Sequence, residues 1–273
     1  MSAPLRVGVI GLGARCVIAE NCHKATIPAE LVGGCDPNPA MRQRATEVLG
    51  DYPWFETLDE LLELGIDCAI VTSPDDTHED ITCSLLEAGV AVYLEKPIAI
   101  TIEGSDRVLE TAYRTKTPLY VGHNMRHMAV VRILRQVVQD GLIGEVRAIW
   151  CRHFVGNGGD YYFKDWHADR SRTTGLLLQK AAHDIDVMNW LSDSVPERVV
   201  GMGDLMLYGK LTDRGGQKSD AVMSDWFSFD NWPPASLTGL NPVIDVEDVS
   251  MLMMRQTSGT LISYEQCHFT PDY

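Results

Sequence analysis

The chain has 273 residues, of which 45% are hydrophobic and 22% charged, proportions typical of a globular protein with a substantial core. Its formal net charge of -15 repels phosphate backbones and anionic lipid surfaces, so neither nucleic acid nor a membrane is an expected partner. The seven cysteines contain no C-x-x-C pair, which argues against a disulfide framework or a structural zinc site.

The N-terminal part alternates short apolar runs with helical patterns. It opens without an apolar signal core, and no run in the chain approaches the roughly 18 apolar residues that span a bilayer, so we expect a cytoplasmic protein. Strands are predicted at residues 5–10, 31–35, 67–72, 90–94 and 119–121. Helix start signals occur at Thr57, Thr77 and Thr101, and Gly89 ends the second of these helices. This alternation predicts an α/β Rossmann domain over residues 1–122.

The pattern changes after residue 122. Helices are predicted at residues 127–140 and 176–191, strands at 146–154, 197–207, 221–229, 247–254 and 259–268, and loops at 156–175 and 209–220. Residues 123–273 therefore predict an α+β domain with an open, largely antiparallel sheet. The chain stops at Tyr273 directly after a strand-like run, so we expect this domain to be truncated at its C-terminus.

Glycines after the first strand predict a dinucleotide site. Gly11 allows a tight turn, and Gly13 lets the backbone approach a pyrophosphate at the start of a helix. Cys16 takes the third position of the fingerprint, which is normally Gly or Ala. Asp36 ends the second strand, where a carboxylate binds the ribose hydroxyl and repels a 2'-phosphate, so NAD is favoured over NADP. The predicted cofactor-binding residues are Gly11, Gly13, Ala14, Arg15, Asp36, Thr72, Ser73, Pro74, His78, Glu95 and Lys96.

Two of these segments have simpler interpretations. Ser73 and His78 follow the third predicted strand and either line the cofactor or belong to an ordinary turn before a helix. Lys96 follows the next strand, and Pro97 favours an extended backbone that directs Lys96 toward the carboxyl edge of the sheet. An ammonium near a cationic nicotinamide is suited to proton exchange with a hydroxyl, whereas a surface lysine is the simpler interpretation.

The second predicted helix of the C-terminal half carries a polar stripe. Gln179, His183 and Asp186 share one face by their spacing, while Leu178, Ala182 and Ile185 form an apolar face. His183 either acts as a base toward a ligand or is a core histidine bonded to Asp186.

Together these motifs resemble the Gfo/Idh/MocA oxidoreductases, the family of glucose-fructose oxidoreductase and inositol dehydrogenase. The resemblance rests on the glycines, on Glu95-Lys96-Pro97 and on the helix that leads to His183, and it extends over nearly the whole chain. The segment 122–126 also resembles the family's, in which Asn124 and Arg126 would border the site. The resemblance implies that Lys96 and His183 are the acid–base residues.

One position departs from the family pattern. The dehydrogenases usually carry Asp four residues before the histidine, and Gln179 stands there. Glutamine can hydrogen-bond a sugar hydroxyl but cannot accept a proton, so Lys96 or His183 must carry the transfer, with Asp186 or Asp184 orienting the imidazole. The family's glycosidase branch has Tyr three residues before the histidine, and Lys180 at that position counts against such an activity.

The loop before this helix combines aromatic and charged residues. Trp166, Tyr161 and Tyr162 are suited to stacking on a sugar ring, and Asp165, His167 and Arg170 to binding hydroxyls, unless the aromatics simply pack on the sheet. The predicted substrate-binding residues are Gln179, Asn124, Arg126, Trp166, His167 and Asp186. The spacing of His153, His167 and His183 matches no ligand signature, so no metal is expected.

The sequence therefore predicts an NAD-dependent sugar or polyol dehydrogenase. Two alternatives stay open: a redox-neutral sugar hydrolase or lyase that uses NAD, and a non-catalytic protein that senses NAD or a sugar. The family resemblance also implies a homo-oligomer formed through the open sheet.

Overall fold

A computed structural model describes residues 3–24, 26–156, 158–218, 220–228 and 232–270. The chain divides into two compact units. Unit 1 is Met1–Gly122 with Lys218–Asp225, and unit 2 is His123–Gln217 with Trp226–Tyr273. Among the residues so described, no helix is both long and apolar enough to cross a membrane.

Unit 1 is built on a parallel sheet of six strands. They are β1 (Leu5–Ile10), β2 (Ala29–Cys35), β3 (Trp54–Phe55), β4 (Cys68–Val71), β5 (Ala91–Leu94) and β6 (Leu119–Val121). Their spatial order is β3-β2-β1-β4-β5-β6, and every adjacent pair is parallel. This is the doubly wound order in which β1 and β4 flank the point where the connections change direction, and ligands bind at the carboxyl ends of the strands there.

Side chains cap the first turns of two helices that the sequence predicts in unit 1. A 3-10 helix covers Ala14–Lys24, followed by α1 (Pro39–Leu49), α2 (Leu58–Leu62), α3 (His78–Glu87) and α4 (Ile102–Thr115). Thr57 and Glu60 form the predicted capping box of α2, and Thr101 accepts a hydrogen bond from the amide of Gly104 at the start of α4. Thr77 precedes α3 without capping it through its side chain.

Neither the helix α1 nor the strand β3 of unit 1 is predicted by the sequence patterns described above. Helix α1 starts at Asn38, whose side chain accepts a hydrogen bond from the amide of Ala40. Pro39 follows in the first turn, and an Asn-Pro pair of this kind is a helix start signal in the sequence. The edge strand β3 has only two residues and carries no periodicity. The core supports the predicted Rossmann class, because strand residues such as Val9 and Val71 are fully buried.

Unit 2 combines helices with a mixed sheet. Its helices are α5 (Ala129–Gln139), α6 (Gly158–Tyr162), α7 (Arg170–Thr173) and α8 (Leu176–Ser192), and its strands are β7 (Ala148–Phe154), β8 (Pro196–Asp204), β9 (Val249–Gln256) and β10 (Leu261–Cys267). The strand order is β7-β10-β9-β8, with β7 parallel to β10 and the other pairs antiparallel. The predicted α+β class with a largely antiparallel sheet is confirmed.

Two expectations about the second half of the chain need correction. Residues 221–229 do not form a strand, because Met223–Trp226 is a short helix, α9, in which Asp225 accepts from the amide of Val222; position 229 lies outside the described residues. Residues 156–175 are not all loop, since α6, α7 and a helical turn fall within them. Helix α8 buries Ala181 and Met188 against the sheet, and Ile185 of the predicted apolar face packs against the same cluster.

The two faces of the unit 2 sheet differ in exposure. Side chains that face α8 are buried, as the alternating pattern of β9 shows. The opposite face presents large apolar side chains, with Trp150 78% exposed, Met202 79% and Met253 71%. Apolar exposure on this scale is typical of a surface that contacts another chain.

A buried carboxylate organises the connection that follows β8. Asp248 is fully buried and accepts hydrogen bonds from three successive amides, those of Met206 at 2.7 Å, Leu207 at 2.8 Å and Tyr208 at 2.9 Å. The same interactions explain why the predicted strand 197–207 ends at Asp204. The carboxylate turns the chain away from the sheet because it satisfies amides that a strand would otherwise pair.

We predict that Asp248→Ala lowers the free energy of unfolding by about 3 kcal/mol or more, because buried amide donors would lose their acceptor. Urea unfolding monitored by tryptophan fluorescence would measure the change. Asp248→Asn, which keeps one acceptor oxygen, should cost clearly less. Equal stability of Asp248→Ala and wild type would contradict this role.

Candidate active site

The turn that follows β1 is crowded at its first glycine and open at its second. Gly11 has φ +85°, and a Cβ there would lie 2.4 Å from the backbone nitrogen of Ser73. A Cβ on Gly13 would meet no atom within 4 Å, so the space above this residue is open. Position 11 therefore accepts only glycine, and a side chain at position 13 would fill space that a pyrophosphate needs.

The carboxylate of Asp36 lies beside this turn. One oxygen accepts from the amide of Leu12 at 2.8 Å, and the other accepts from the amide of Asn38 at 2.8 Å. Each oxygen retains a lone pair for a ribose hydroxyl. Ala14 begins the 3-10 helix, and Cys16 is 3% exposed in the core beneath it, as the small third residue of the fingerprint should be. The residues present therefore fit a dinucleotide.

An ion pair joins the glycine turn to the end of β5. Arg15 lies 2.7 Å from the carboxylate of Glu95, which is 6% exposed. Thr72, at the end of β4, donates its hydroxyl to the carbonyl of Gly11 at 2.7 Å. These contacts join the ends of β1, β4 and β5, and they fix the position of Glu95, which directly precedes Lys96 in the chain.

The buried His78 contacts Pro97, the residue that follows Lys96. The ring nitrogens of His78 lie 2.7 Å from the carbonyl of Pro97 and 2.9 Å from the carbonyl of Ser73. His78 is 1% exposed, so it fixes the turn that contains Ser73 and Pro74 and does not line the cofactor surface as the sequence suggested. Lys96 is half-buried, and the Lys96–Pro97 peptide bond is cis.

In unit 2, His183 lies in a cluster of polar side chains. Its ring packs edge-on against His123, with centroids 6.4 Å apart. Asp186 accepts two hydrogen bonds from Arg126, each at 2.6 Å, and lies 3.9 Å from His123. The structure thus brings together the predicted Arg126, His183 and Asp186. It adds His123, a residue of the segment 122–126 to which the sequence assigns no role.

Two predicted substrate residues flank this cluster. Asn124 is half-buried and begins the helical turn Asn124–His127. Gln179 is 7% exposed, one turn before His183 on α8. Its amide therefore lies near His183 at the position where the resemblance implies a carboxylate.

A second polar group lies between α8 and the sheet. Asp184 accepts hydrogen bonds from Nδ1 of His153 and from the hydroxyl of Tyr264, both at 2.8 Å. The sequence alone suggests Asp184 or Asp186 as the residue that orients His183. In the structure the contacts of Asp184 instead orient His153, to which the sequence assigns no role.

The aromatic side chains of the loop before α8 differ in burial, since some lie in the core and others are half-buried. Trp166 stacks on His167 with centroids 3.8 Å apart, and Nδ1 of His167 lies 2.5 Å from Asp165. Both side chains are half-buried. Tyr162 is 9% exposed and belongs to the core, so the expectation that it stacks on a sugar is corrected.

The remaining predicted loop residue has a structural contact. Arg170 donates to the backbone carbonyls of Asp245 and Thr174 and pairs with Glu247 at 3.0 Å, so it ties the loop together. Within the described ranges, no group of three or more His, Cys, Asp or Glu side chains is arranged to hold a metal ion.

Comparison with known proteins identifies the class of this chain. Residues 5–123 match the description "Oxidoreductase family, NAD-binding Rossmann fold", and residues 131–273 match "GFO/IDH/MocA C-terminal domain". The chain belongs to the Gfo/Idh/MocA oxidoreductase family, as the sequence motifs predicted.

Two curated dehydrogenases show how similar this chain is to individual members of the family. The chain is 27% identical over 223 residues to an inositol 2-dehydrogenase of Rhizobium meliloti, covering 80% of this chain and 64% of that protein. It is 28% identical over 200 residues to a glucose-6-phosphate 3-dehydrogenase of Bacillus subtilis, covering 71% and 56%. The chain spans between 44% and 64% of the length of the curated relatives it matches.

A solved structure supports the fold. The WlbA dehydrogenase from Chromobacterium violaceum, determined in complex with NADH and UDP-GlcNAcA, superimposes with a TM-score of 0.77 at 23% identity. The match covers 99% of this chain and 69% of that chain. At this identity the similarity establishes the architecture of the chain.

The glycine turn provides a matched pair of variants. We predict that Gly13→Ala weakens NAD binding at least about tenfold with an unchanged melting temperature, because its methyl group meets only the space left for the ligand. Gly11→Ala should destabilise the protein by more than about 2 kcal/mol, because it combines a positive φ with a backbone clash. Calorimetric titration with NAD and thermal unfolding would measure the two effects. Gly13→Ala with wild-type affinity would argue against a cradle at this turn.

A buried histidine makes the stability of unit 2 depend on pH. Burial, with smaller contributions from the charges of His153 and Lys180, lowers the pKa of His268 to about 3. In the unfolded chain a histidine has a pKa near 6.5, so between these values the unfolded state binds the extra proton. Stability is therefore complete above this window and decreases as the pH falls through it.

We predict that wild type loses about 2 kcal/mol of unfolding free energy at His268 between pH 7 and pH 5. His268→Gln should lack this part of the pH dependence, since glutamine does not titrate. Urea titrations of both proteins at the two pH values would measure the difference. Parallel pH dependences in the two proteins would rule out a neutral buried His268.

Proposed function

We propose that this chain is the NAD-binding and substrate-binding part of a dehydrogenase that oxidises a hydroxyl of a sugar or polyol. The observation that carries the proposal is the anchoring of Lys96 at the carboxyl edge of the sheet. Arg15 and Glu95 hold the chain before it, and His78 holds the chain after it. A lysine fixed this closely beside a dinucleotide cradle is positioned to exchange a proton with a bound hydroxyl.

Unit 1 would hold the dinucleotide. The turn at Gly11 and Gly13 would receive the pyrophosphate, and Asp36 would bind the ribose hydroxyls. A carboxylate at this position disfavours the 2'-phosphate of NADP, so NAD is the proposed form. When bound, NAD accepts the hydride from the carbinol carbon of the substrate.

Unit 2 would bind the sugar. In this proposal Lys96 takes the hydroxyl proton, and His183 positions the hydroxyl or assists the transfer. Gln179, Asn124 and Arg126 would bind neighbouring hydroxyl groups, and Trp166 and His167 would contact the ring. The alcohol loses one hydride and one proton and becomes a ketone, so the reaction is balanced by reduction of one NAD and release of one proton.

Sugar and polyol chemistry is supported by what the relatives are named for. Two of them are an inositol 2-dehydrogenase and a glucose-6-phosphate 3-dehydrogenase. The exposed apolar face of the unit 2 sheet further supports a homo-oligomer, in which a second copy would cover Trp150 and Met253.

The test combines cofactor binding with turnover. Calorimetry should show that NAD binds more tightly than NADP, and NADH absorbance should rise with at least one member of a panel of sugars and polyols. Lys96→Ala should reduce that rate by at least about 100-fold, since it removes the proton acceptor. The control is Lys24→Ala, an exposed lysine of unit 1.

The outcomes separate the candidate functions. NAD binding with product formation but no net NADH would indicate a redox-neutral enzyme. NAD binding with no turnover of any sugar would indicate a sensor. Absence of NAD binding would overturn the proposal.

A further inference from the structure

The strand β8 forms one edge of the unit 2 sheet. It pairs with β9 on one side, and no strand in the described part of the chain pairs with its other side. All of its residues from 197 to 204 are exposed. Pro196 and a register shift interrupt the start of the strand, whereas residues 198–204 pair regularly with β9. The free backbone N–H and C=O groups of this regular stretch are therefore available to a further strand.

Side chains alternate between the two faces along this stretch. Gly201 lies opposite Leu252 of β9, which is buried in the cluster that packs against α8. The even-numbered residues therefore lie on the open face of the sheet, and they are Arg198, Val200, Met202 and Asp204. On this face the strand begins with a positive charge, continues with two apolar side chains and ends with a negative charge.

The charges at the two ends of this stretch are not compensated within the chain. Arg198 lies directly opposite Arg255 of β9, and like charges in this arrangement are destabilising. Among the residues that the structure describes, neither arginine forms an ion pair, and neither does Asp204. The opposite edge of the sheet differs, because Arg152 of β7 pairs with Glu265 at 3.0 Å. A partner for β8 would therefore bring an acidic group to Arg198 and a basic group to Asp204.

A second copy of β8 supplies both groups. When two copies pair antiparallel about a two-fold axis at Gly201, position 198 of each copy lies opposite position 204 of the other. Arg198 then lies beside Asp204 of the second copy at both ends of the contact. In the same register Val200 lies beside Met202 of the second copy, and all four side chains share the open face. The stretch 198–204 is thus complementary to itself in charge and in apolar contact.

We propose that β8 is an interaction surface for a second copy of this chain, formed by antiparallel edge-to-edge pairing centred on Gly201. The contact is isologous, so each residue pair occurs twice. A shift of the register by one residue would place Glu197 opposite Asp204, two like charges, and would bring side chains of opposite faces together. This contact lies in the plane of the sheet and is separate from the proposed contact through its open face.

Charge reversal at the two ends tests the pairing. Arg198→Asp places two carboxylates opposite each other, and Asp204→Arg places two guanidinium groups opposite each other. Each variant alone should raise the dissociation constant of self-association at least about tenfold, because both ion pairs become repulsive. An equimolar mixture of the two variants should associate one to one with wild-type affinity, since every facing pair again has opposite charges. The double variant Arg198→Asp/Asp204→Arg should recover in the same way. Sedimentation equilibrium would measure all four samples.

Hydrogen exchange provides a second readout at the backbone. Amides of residues 198–204 in wild type should become protected as the protein concentration rises from about 1 to 100 µM, and in Arg198→Asp they should not. The matched controls are Arg132→Asp and Asp106→Arg, exposed positions outside β8, which should associate like wild type. Repeating the series in Trp150→Ser, which disturbs the open face and leaves β8 unchanged, separates the two contacts.

Three results would overturn the edge-to-edge contact. The first is a wild-type protein that remains monomeric up to about 100 µM. The second is wild-type association of both single variants. The third is a loss of association that neither the mixture nor the double variant restores, because Arg198 and Asp204 would then not face each other. Neither readout uses substrate or cofactor, so the result is independent of the proposed dehydrogenase function.

Discussion

The close approach of β1 to β4 is the constraint on which the rest of unit 1 depends. The Cβ position of Gly11 lies 2.4 Å from the nitrogen of Ser73, so the two strand ends can meet only where no side chain is present. Next to this close approach, the carboxylate of Asp36 accepts a hydrogen bond from the amide of Leu12, and Arg15 forms an ion pair with Glu95. The glycine turn and the segment that leads to Lys96 are therefore parts of one connected arrangement.

Unit 2 depends on a different requirement, the pairing of buried polar groups. Asp184 and Asp248 are both almost completely buried, and each accepts several hydrogen bonds. A buried charge without such partners would cost several kcal/mol, so these residues determine how α8 and the connection after β8 are placed. The same pairing fixes the orientation of the His153 ring through its Nδ1.

Local signals predicted most elements because their physical causes are local. The strands of unit 1 are buried on both faces and therefore form continuous apolar runs, and the Thr57 and Thr101 caps require only neighbouring amides. Residues 221–229 gave a misleading pattern, because contacts such as the hydrogen bond from Trp226 to the carbonyl of Asp160 decide the conformation there. An apolar run alone cannot distinguish a strand from a short helix held by distant partners.

The sequence by itself determined the family, the fold class and the motifs at Gly11, Asp36 and Lys96, because each follows from what a few consecutive residues allow the backbone to do. Only the tertiary structure decided that His78 contacts Pro97 beside Lys96, that Arg126 binds Asp186, and that Asp184 accepts from His153 and Tyr264. His153 and Tyr264 lie 31 and 80 residues from Asp184 in the chain, and they meet because β7 pairs with β10 beneath α8. Such contacts depend on strand register and helix packing, which no short stretch of sequence specifies.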